Sequence, residues 1–355
     1  MRTYHIAVIP GDGIGIETID QALATCDTLC ALHGGVSLRY TRLPWGCSYY
    51  LEHGVMMPED GLRILADCDA ILLGAVGYPT VPDHISLWGL LLPIRQSFDQ
   101  YINLRPVKLL KGISGPLRER ADREIDFVCI RENTEGEYSG VGGFSHRHTP
   151  DEVAVQTAVF TRRGIERVMR YAFELAAARP RKLLMSATKS NALQYSMVLW
   201  DEVFRELAAE FPSVHCSQNH VDALAARFIT APEQLDVVVA SNLFGDILTD
   251  LGGALQGSLG IPPSGNIDPS RRYPSLFEPV HGSAPDIAGR GIANPIAAIW
   301  AAAMMFEHLG HPDLAVHIMR AIEQVTSQGT VLTPDLGGRA STAEVGNAIR
   351  GALDS

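Results

Sequence analysis

The strongest constraint on this chain is that its hydrophobic residues follow two periods in alternation. Short β-branched runs, HIAVIP (5–10), DAILLGAV (69–76), IDFVCIREN (125–133), RKLLMSATKS (181–190) and DVVVASNLFG (236–245), are separated by stretches whose apolar residues recur every three or four positions. An unbroken apolar run of strand length suits a strand covered on both faces, and the longer period suits the helix that covers it. The alternation therefore predicts α/β layers around a largely parallel, buried sheet. A helix is predicted near Glu17–Leu32. Another is predicted over 162–178, with Ile165, Val168, Met169, Ala172, Phe173, Leu175 and Ala176 inside and Arg163, Glu166, Arg167 and Arg170 outside. The chain's 355 residues give room for two such domains, at roughly 150 residues each.

Two segments interrupt the alternation. Residues 111–124, KGISGPLRERADRE, are charged and contain glycine, which predicts an exposed connection. Residues 136–150 are rich in glycine and histidine, and EVAVQTAVF after them alternates like a strand. A protruding β arm over about 136–160 is predicted to pair with another subunit, since an exposed strand edge invites pairing. A formal charge of −11 disfavours a nucleic-acid partner. No apolar run has the length to span a bilayer, and MRTYHIAVIPGDG lacks the apolar segment and cleavage site of a secretory signal, so a soluble cytoplasmic protein is predicted. Cys26, Cys30, Cys47, Cys68, Cys129 and Cys216 include no two-residue-spaced pair, which points to free, mostly buried thiols.

The glycines of IPGDGIGIE are spaced G-x-G-x-G (Gly11, Gly13, Gly15), not G-x-G-x-x-G with a later acidic residue, so an ordinary dinucleotide fingerprint is disfavoured and a tight turn suffices. The carboxylates say more. In SNLFGDILTDLGG, Asp246 and Asp250 lie four apart on a predicted helix and share a face. Such a pair is often only a solvated face. This one sits among Leu243, Phe244, Ile247, Leu248 and Leu251, where repulsion and desolvation cost most, and a hard cation such as Mg²⁺ or Mn²⁺ would offset that cost. Asp222, in HVDALAARF, is either a third ligand or a plain helix-start acid. Arg95, Arg105 and Arg131 lie at strand ends or on apolar segments; each could be an ordinary surface residue, and together they fit bidentate grips on a small diacid. Tyr138 and Lys189 lie near C-terminal strand edges, where open α/β sheets bind ligands. A lysine held beside a metal and arginines would be acidified enough to act as a base, although each residue alone also suits a structural role.

Taken together, IPGDGIG, LLGAVG, the Arg95–Arg105 segment, RENTEGEYSG, SATKSN, ASNLFGDILTDLGG and EPVHGSAPDIAGRGIANP resemble the β-decarboxylating dehydrogenases, the isocitrate/isopropylmalate dehydrogenase family, over essentially the whole chain. The resemblance implies an α/β fold of two domains sharing a large mixed sheet, distinct from the ordinary Rossmann fold. One domain is formed by 1–100 with 256–355, and the other by 101–255, carrying the arm. It also implies a homodimer with shared active sites. Arg95, Arg105 and Arg131 would hold the malate-like part of the substrate. Lys189 would take the 2-hydroxyl proton as hydride leaves C2, and Tyr138 would protonate C3 after loss of the β-carboxylate. Asp246, Asp250 and the other subunit's Asp222 would hold Mg²⁺ or Mn²⁺, with room for an added monovalent cation such as K⁺. On the cofactor side it implies His281, Gly282, Ser283 and Ala284 against adenosine, Asp286 on the ribose hydroxyls, and Asn191 and Asn294 as further contacts. Asn294 would also cap a helix that begins at Pro295. A carboxylate at Asp286 would repel a 2′-phosphate, which favours NAD over NADP.

Substrate choice is expected to lie just before Arg95. Gly89 and Leu91 stand where isocitrate enzymes of the family present serine and asparagine, and Trp88 stands where isopropylmalate enzymes present glutamate, with Leu91 and Leu92 retained. A ring at Trp88 would shrink the pocket, and VPDHISLWGLLLPIR looks like the branch acting on tartrate and D-malate. The alternatives are 3-isopropylmalate as substrate, or a non-catalytic regulatory subunit. The presence of Tyr138, Lys189 and all three aspartates argues against the latter.

Overall fold

The computed structural model describes residues 2–117 and 124–354. The connection expected over 111–124 therefore falls partly outside the described residues, at 118–123. In chain order the strands are β1 (Arg2–Gly11), β2 (Val36–Arg42), β3 (Ala70–Ala75), β4 (Ile102–Lys108), β5 (Asp126–Glu132), β6 (Gly136–Ser145), β7 (Val153–Val159), β8 (Leu183–Thr188), β9 (His215–His220), β10 (Val237–Ala240), β11 (Pro263–Ile267) and β12 (Ser275–Pro279). The chain divides into two compact units, one of Met1–Gln100, Lys108–Glu119 and Gly253–Ser355, the other of Tyr101–Val107 and Arg120–Gly252.

In the first unit the strand order is β2-β1-β3-β12-β11. Neighbours are parallel except β11 with β12, which makes this sheet mixed. β3 is buried along its whole length, as its unbroken apolar run requires. The helix Ile296–His308 is apolar all round because it is buried all round, packed against β12 and the helices Gly15–His33 and Pro312–Gln328. The helix expected over Glu17–Leu32 starts at Gly15 and ends before Gly34, which takes the left-handed φ of 66°. One boundary differs by a residue from expectation. Pro295 is the cap and not the first turn of the helix, while Asn294 Oδ1 accepts from Ile296 N–H at 3.0 Å, so the asparagine's own side-chain turn holds the entry.

In the second unit the order is β4-β5-β10-β8-β9, with β5, β10, β8 and β9 parallel. The helix Arg162–Ala178 buries Ile165, Val168, Met169, Ala172, Phe173 and Ala176, and Thr161 caps it by accepting from Gly164 N–H. Leu175 is only half-buried, and Arg167 turns inward, its guanidinium carbon 4.1 Å from the centre of the Tyr101 ring. β6 and β7 pair antiparallel as a separate two-stranded ribbon, with Val141, Phe144, Val153 and Val155 exposed along it. Among the described residues no helix is long and apolar enough to cross a membrane. The cysteines are free; Cys26, Cys47, Cys68 and Cys129 are buried, Cys30 is intermediate and Cys216 exposed.

Candidate active site

In the second unit, five of the expected residues converge. β5 delivers Arg131 at its C-terminal end, and the helix Asn242–Leu255 lies directly against it because Gly245 has no side chain; a Cβ there would stand 2.6 Å from Arg131 Cβ and Cγ. Asn242 Oδ1 accepts from Arg131 Nε at 3.0 Å and Nη2 at 2.7 Å, which leaves Nη1 to meet Asp246 Oδ1. Tyr138, from β6, donates its hydroxyl to the other oxygen of Asp246 at 2.7 Å. Arg105, from β4, donates to Thr249 Oγ1 at 2.6 Å and stands 3.8 Å from both Asp246 and Asp250. Asp246 is thus a buried-edge carboxylate ringed by donors. Burial holds the Asp250 carboxyl above the usual carboxylate range, Arg105 opposes this, and Asp246 adds to it.

Lys189 follows β8 and pairs with Asp222 of the helix Val221–Thr230, Nζ to Oδ1 at 2.6 Å. The partner of this lysine within the chain is thus a carboxylate. That hydrogen bond lowers the Asp222 carboxyl below its ordinary value. Asn191 is exposed two residues further on.

In the first unit, Arg95 is buried and donates to Glu278 Oε1 at 3.2 Å, and Asn266 Nδ2 donates to the same oxygen at 2.7 Å. Trp88 is 43% exposed and Leu92 is buried. The glycine turn after β1 proves to be a backbone clamp on the loop expected to hold cofactor. Ile14 N–H donates to Ser283 C=O at 2.9 Å, and a Cβ at Gly13 would stand 2.0 Å from that carbonyl oxygen at a φ of 56°. Gly11 packs as closely on Ala75, and buried Asp12 accepts from the backbone N–H groups of Cys47, Ser48 and Gly77. Gly13→Ala is accordingly expected to lower unfolding free energy by on the order of 2–4 kcal/mol, from left-handed strain plus overpacking. A denaturant titration checks this, and an unchanged midpoint would contradict the clamp. Within the loop, Ala284 adopts a φ of 39°, Gly282 and Asp286 are exposed, and the His281 ring nitrogen Nε2 is buried with no hydrogen-bond partner among the described residues. Burial lowers the His281 pKa, so its ring favours the neutral, stackable form. Asn294 Nδ2 donates to Asp335 at 3.0 Å.

Comparison with known proteins matches residues 5–349 to the family model described as isocitrate/isopropylmalate dehydrogenase. The chain belongs to the isocitrate/isopropylmalate dehydrogenase family. A probable tartrate dehydrogenase/decarboxylase of Agrobacterium vitis is 56% identical over 353 residues, covering 99% of this chain and 98% of that protein. The D-malate dehydrogenase (decarboxylating) of Escherichia coli K12 is 53% identical over 356 residues, covering 98% of each. The crystal structure of isocitrate dehydrogenase from Methylococcus capsulatus superposes with a TM-score of 0.89 at 35% identity, covering 99% of this chain and 100% of that one. The α/β fold, with the mixed pairing of β11 and β12, is therefore that of this dehydrogenase family.

The family's groups can be tested against the residues present. Asp246 and Asp250 offer oxygen donors only and sit close enough to disfavour each other's charge, which is the chemistry a hard divalent cation relieves. Among the described residues no group of three or more His, Cys, Asp or Glu is placed to hold a metal ion. The orphaned His281 Nε2 and the open space at Gly282 fit an adenosine. Sequence reasoning missed Asn242, Thr249 and Glu278, each of which holds one of the three arginines. It also missed a cavity of about 560 Å³ lined by Glu124, Asp126, Arg179, Pro180, Arg181, Glu233 and Asp236. That cavity lies at the N-terminal ends of β5 and β10, opposite the strand ends that carry Arg131 and Lys189, and Arg179 bridges Asp126 and Asp236 within it.

Proposed function

We propose that this chain is an NAD-dependent tartrate/D-malate dehydrogenase that requires Mg²⁺ or Mn²⁺ and couples oxidation to β-decarboxylation, converting D-malate to pyruvate and CO₂. The observation that carries the reading is the convergence of Arg105, Arg131 and Tyr138 on the Asp246–Asp250 pair. Asp246 and Asp250 would hold the divalent cation, which would supply polarisation of the substrate 2-oxygen, and the loop from His281 to Asp286 would hold NAD, which would supply the hydride acceptor. The arginines bind the two carboxylates of the diacid as planar forks, each already oriented by Thr249, Asn242 or Glu278. Lys189 Nζ takes the proton of the C2 hydroxyl as hydride departs. The C3–C4 bond then breaks, its electron pair passing toward the C2 oxygen, and CO₂ leaves. Tyr138, whose hydroxyl proton points at Asp246 before substrate arrives, delivers a proton to C3.

Tyr138, Arg105 and Arg131 gather on Asp246 and Asp250, and Lys189 is joined to Asp222 at 2.6 Å. If Asp222 completes the cation site of a second copy, Lys189 travels with it, and a homodimer with shared sites follows. Residues 101–255 then form the substrate, metal and dimer domain, with the β6–β7 ribbon reaching toward the second copy. Residues 1–100 and 256–355 carry the cofactor loop, where Asp286 favours NAD over NADP by repelling a 2′-phosphate. We place the enzyme in the cytoplasm.

Initial rates of NADH formation with Mn²⁺, with and without K⁺, on D-malate, L-tartrate, 3-isopropylmalate and isocitrate test the reading, with CO₂ followed in the same samples. D-malate or L-tartrate is expected to lead by at least about tenfold. A lead for 3-isopropylmalate would overturn the substrate, and the absence of NADH with all four would overturn the activity.

A further inference from the structure

The helix that carries Trp88 and Arg95 changes type in the middle. Asp83–Ser86 is α, Leu87–Leu91 is π and Leu92–Ser97 is α again, without interruption. The wide turn is closed by Leu92 N–H donating to Leu87 C=O, five residues back. Its cause is Pro93, in the first turn of the second α segment, which has no N–H to give and whose ring would collide with the carbonyl four residues before it, that of Gly89.

A π turn takes up about one extra residue. In a plain α-helix Trp88 and Arg95, seven apart, would share a face; the extra residue turns Trp88 off that face by about 100°. Exposure agrees, since Arg95 is 5% and Trp88 43% exposed. The register is pinned from behind as well, because a Cβ at Gly89 would stand 2.5 Å from Met56 Cγ, so only glycine backs onto Met56 here. The sequence leads to the expectation that a ring at Trp88 shrinks the pocket, and the π turn bears on where that ring stands relative to Arg95.

The geometry points to Pro93 as a positioning residue for specificity. By imposing the π turn it swings the indole aside and leaves the space beside Arg95 open for a C3 hydroxyl. The inference rests on the diacid reading above and extends it from the residue that would block the pocket to the one that keeps it clear. Pro93→Leu restores the missing N–H, lets the helix run α throughout and brings Trp88 onto the Arg95 face.

The test compares KM and kcat for L-tartrate, which carries a C3 hydroxyl, and D-malate, which carries hydrogen there. In Pro93→Leu the KM for L-tartrate is expected to rise about tenfold, with D-malate changing less than about threefold and kcat for D-malate kept. Adding Trp88→Ala should return the two substrates to their original ratio. Equal losses on both substrates, or an unmoved ratio, would overturn the proposal. Should Pro93→Leu fold poorly, Trp88→Ala alone decides: a ring held aside changes the tartrate-to-malate ratio by less than about threefold, and a larger change shows that the ring already lies across the face. A wild-type enzyme inactive on both diacids would sink the diacid reading and this proposal together; a wild-type enzyme active on both, with the ratio unmoved by Pro93→Leu, sinks this proposal alone.

Discussion

Lys189→Met is expected to lower turnover of the diacid by on the order of 10³-fold, the usual scale for losing a positioned proton acceptor, while NAD still binds. Methionine keeps the length and apolar stem of lysine and removes only the basic nitrogen. The partner it abandons, Asp222, is largely exposed, and water can take the place of the ammonium, so the fold should stand. Most of the residues proposed to hold NAD, from His281 to Asp286 and Asn294, belong to the other compact unit, and Asn191, two positions from the substitution, keeps its own side chain, so cofactor affinity gives a second readout. Single-turnover NADH formation, together with calorimetric NAD binding, measures both. Turnover within a few-fold of wild type would remove the lysine from the chemistry, and simultaneous loss of NAD binding would show that the variant had failed for structural reasons.

Asp246→Asn should be equally severe by a different route. The side chain keeps its shape and one oxygen acceptor, and Arg131 retains its grip on Asn242, so the local packing has little reason to move. What disappears is the negative charge shared with Asp250 and the oxygen that holds the Tyr138 hydroxyl at 2.7 Å. Affinity for Mn²⁺ is expected to fall by more than about 100-fold, read by titration of the metal against activity and by direct Mn²⁺ binding. Wild-type activity should vanish with a chelator and return with added Mn²⁺. Activity indifferent to chelation, or an Asp246→Asn variant that binds Mn²⁺ as the parent does, would remove the metal from these aspartates.

The elements were legible where the local pattern was unambiguous. The helix Arg162–Ala178 follows from its three- and four-residue spacing, and β3 from a run too short and too apolar for anything but a covered strand. The shared face of Asp246 and Asp250 needed only the helical repeat. The supports of the arginines were not legible, because a hydrogen-bond partner is chosen by tertiary approach: Asn242 meets Arg131 across 111 positions and Glu278 meets Arg95 across 183. The need for glycine at 245 was not legible either, because Arg131, 114 positions away, occupies the room a side chain there would take. Pro93 was visible in the sequence, but proline is compatible with either a kink or a widened turn, so the residue alone did not give the π turn at Leu87–Leu91. The spacing of IPGDGIG disfavours a dinucleotide fingerprint and suggests a tight turn, but its role as a clamp depends on Ser283, 269 positions beyond Ile14, which no local pattern shows.

That clamp has an evolutionary consequence. Its contacts run from backbone to backbone, from Gly11 to Ala75 and from Gly13 to Ser283, so a point mutation has almost no side chain to exchange and nearly every change there is a loss. Asp286, exposed on the same loop, carries no such burden. Variation in a lineage built on this scaffold should therefore collect on the side chains that hang from the clamp, and a shift in the cofactor preference proposed for Asp286 is open to selection while the frame that holds this loop stays closed to it.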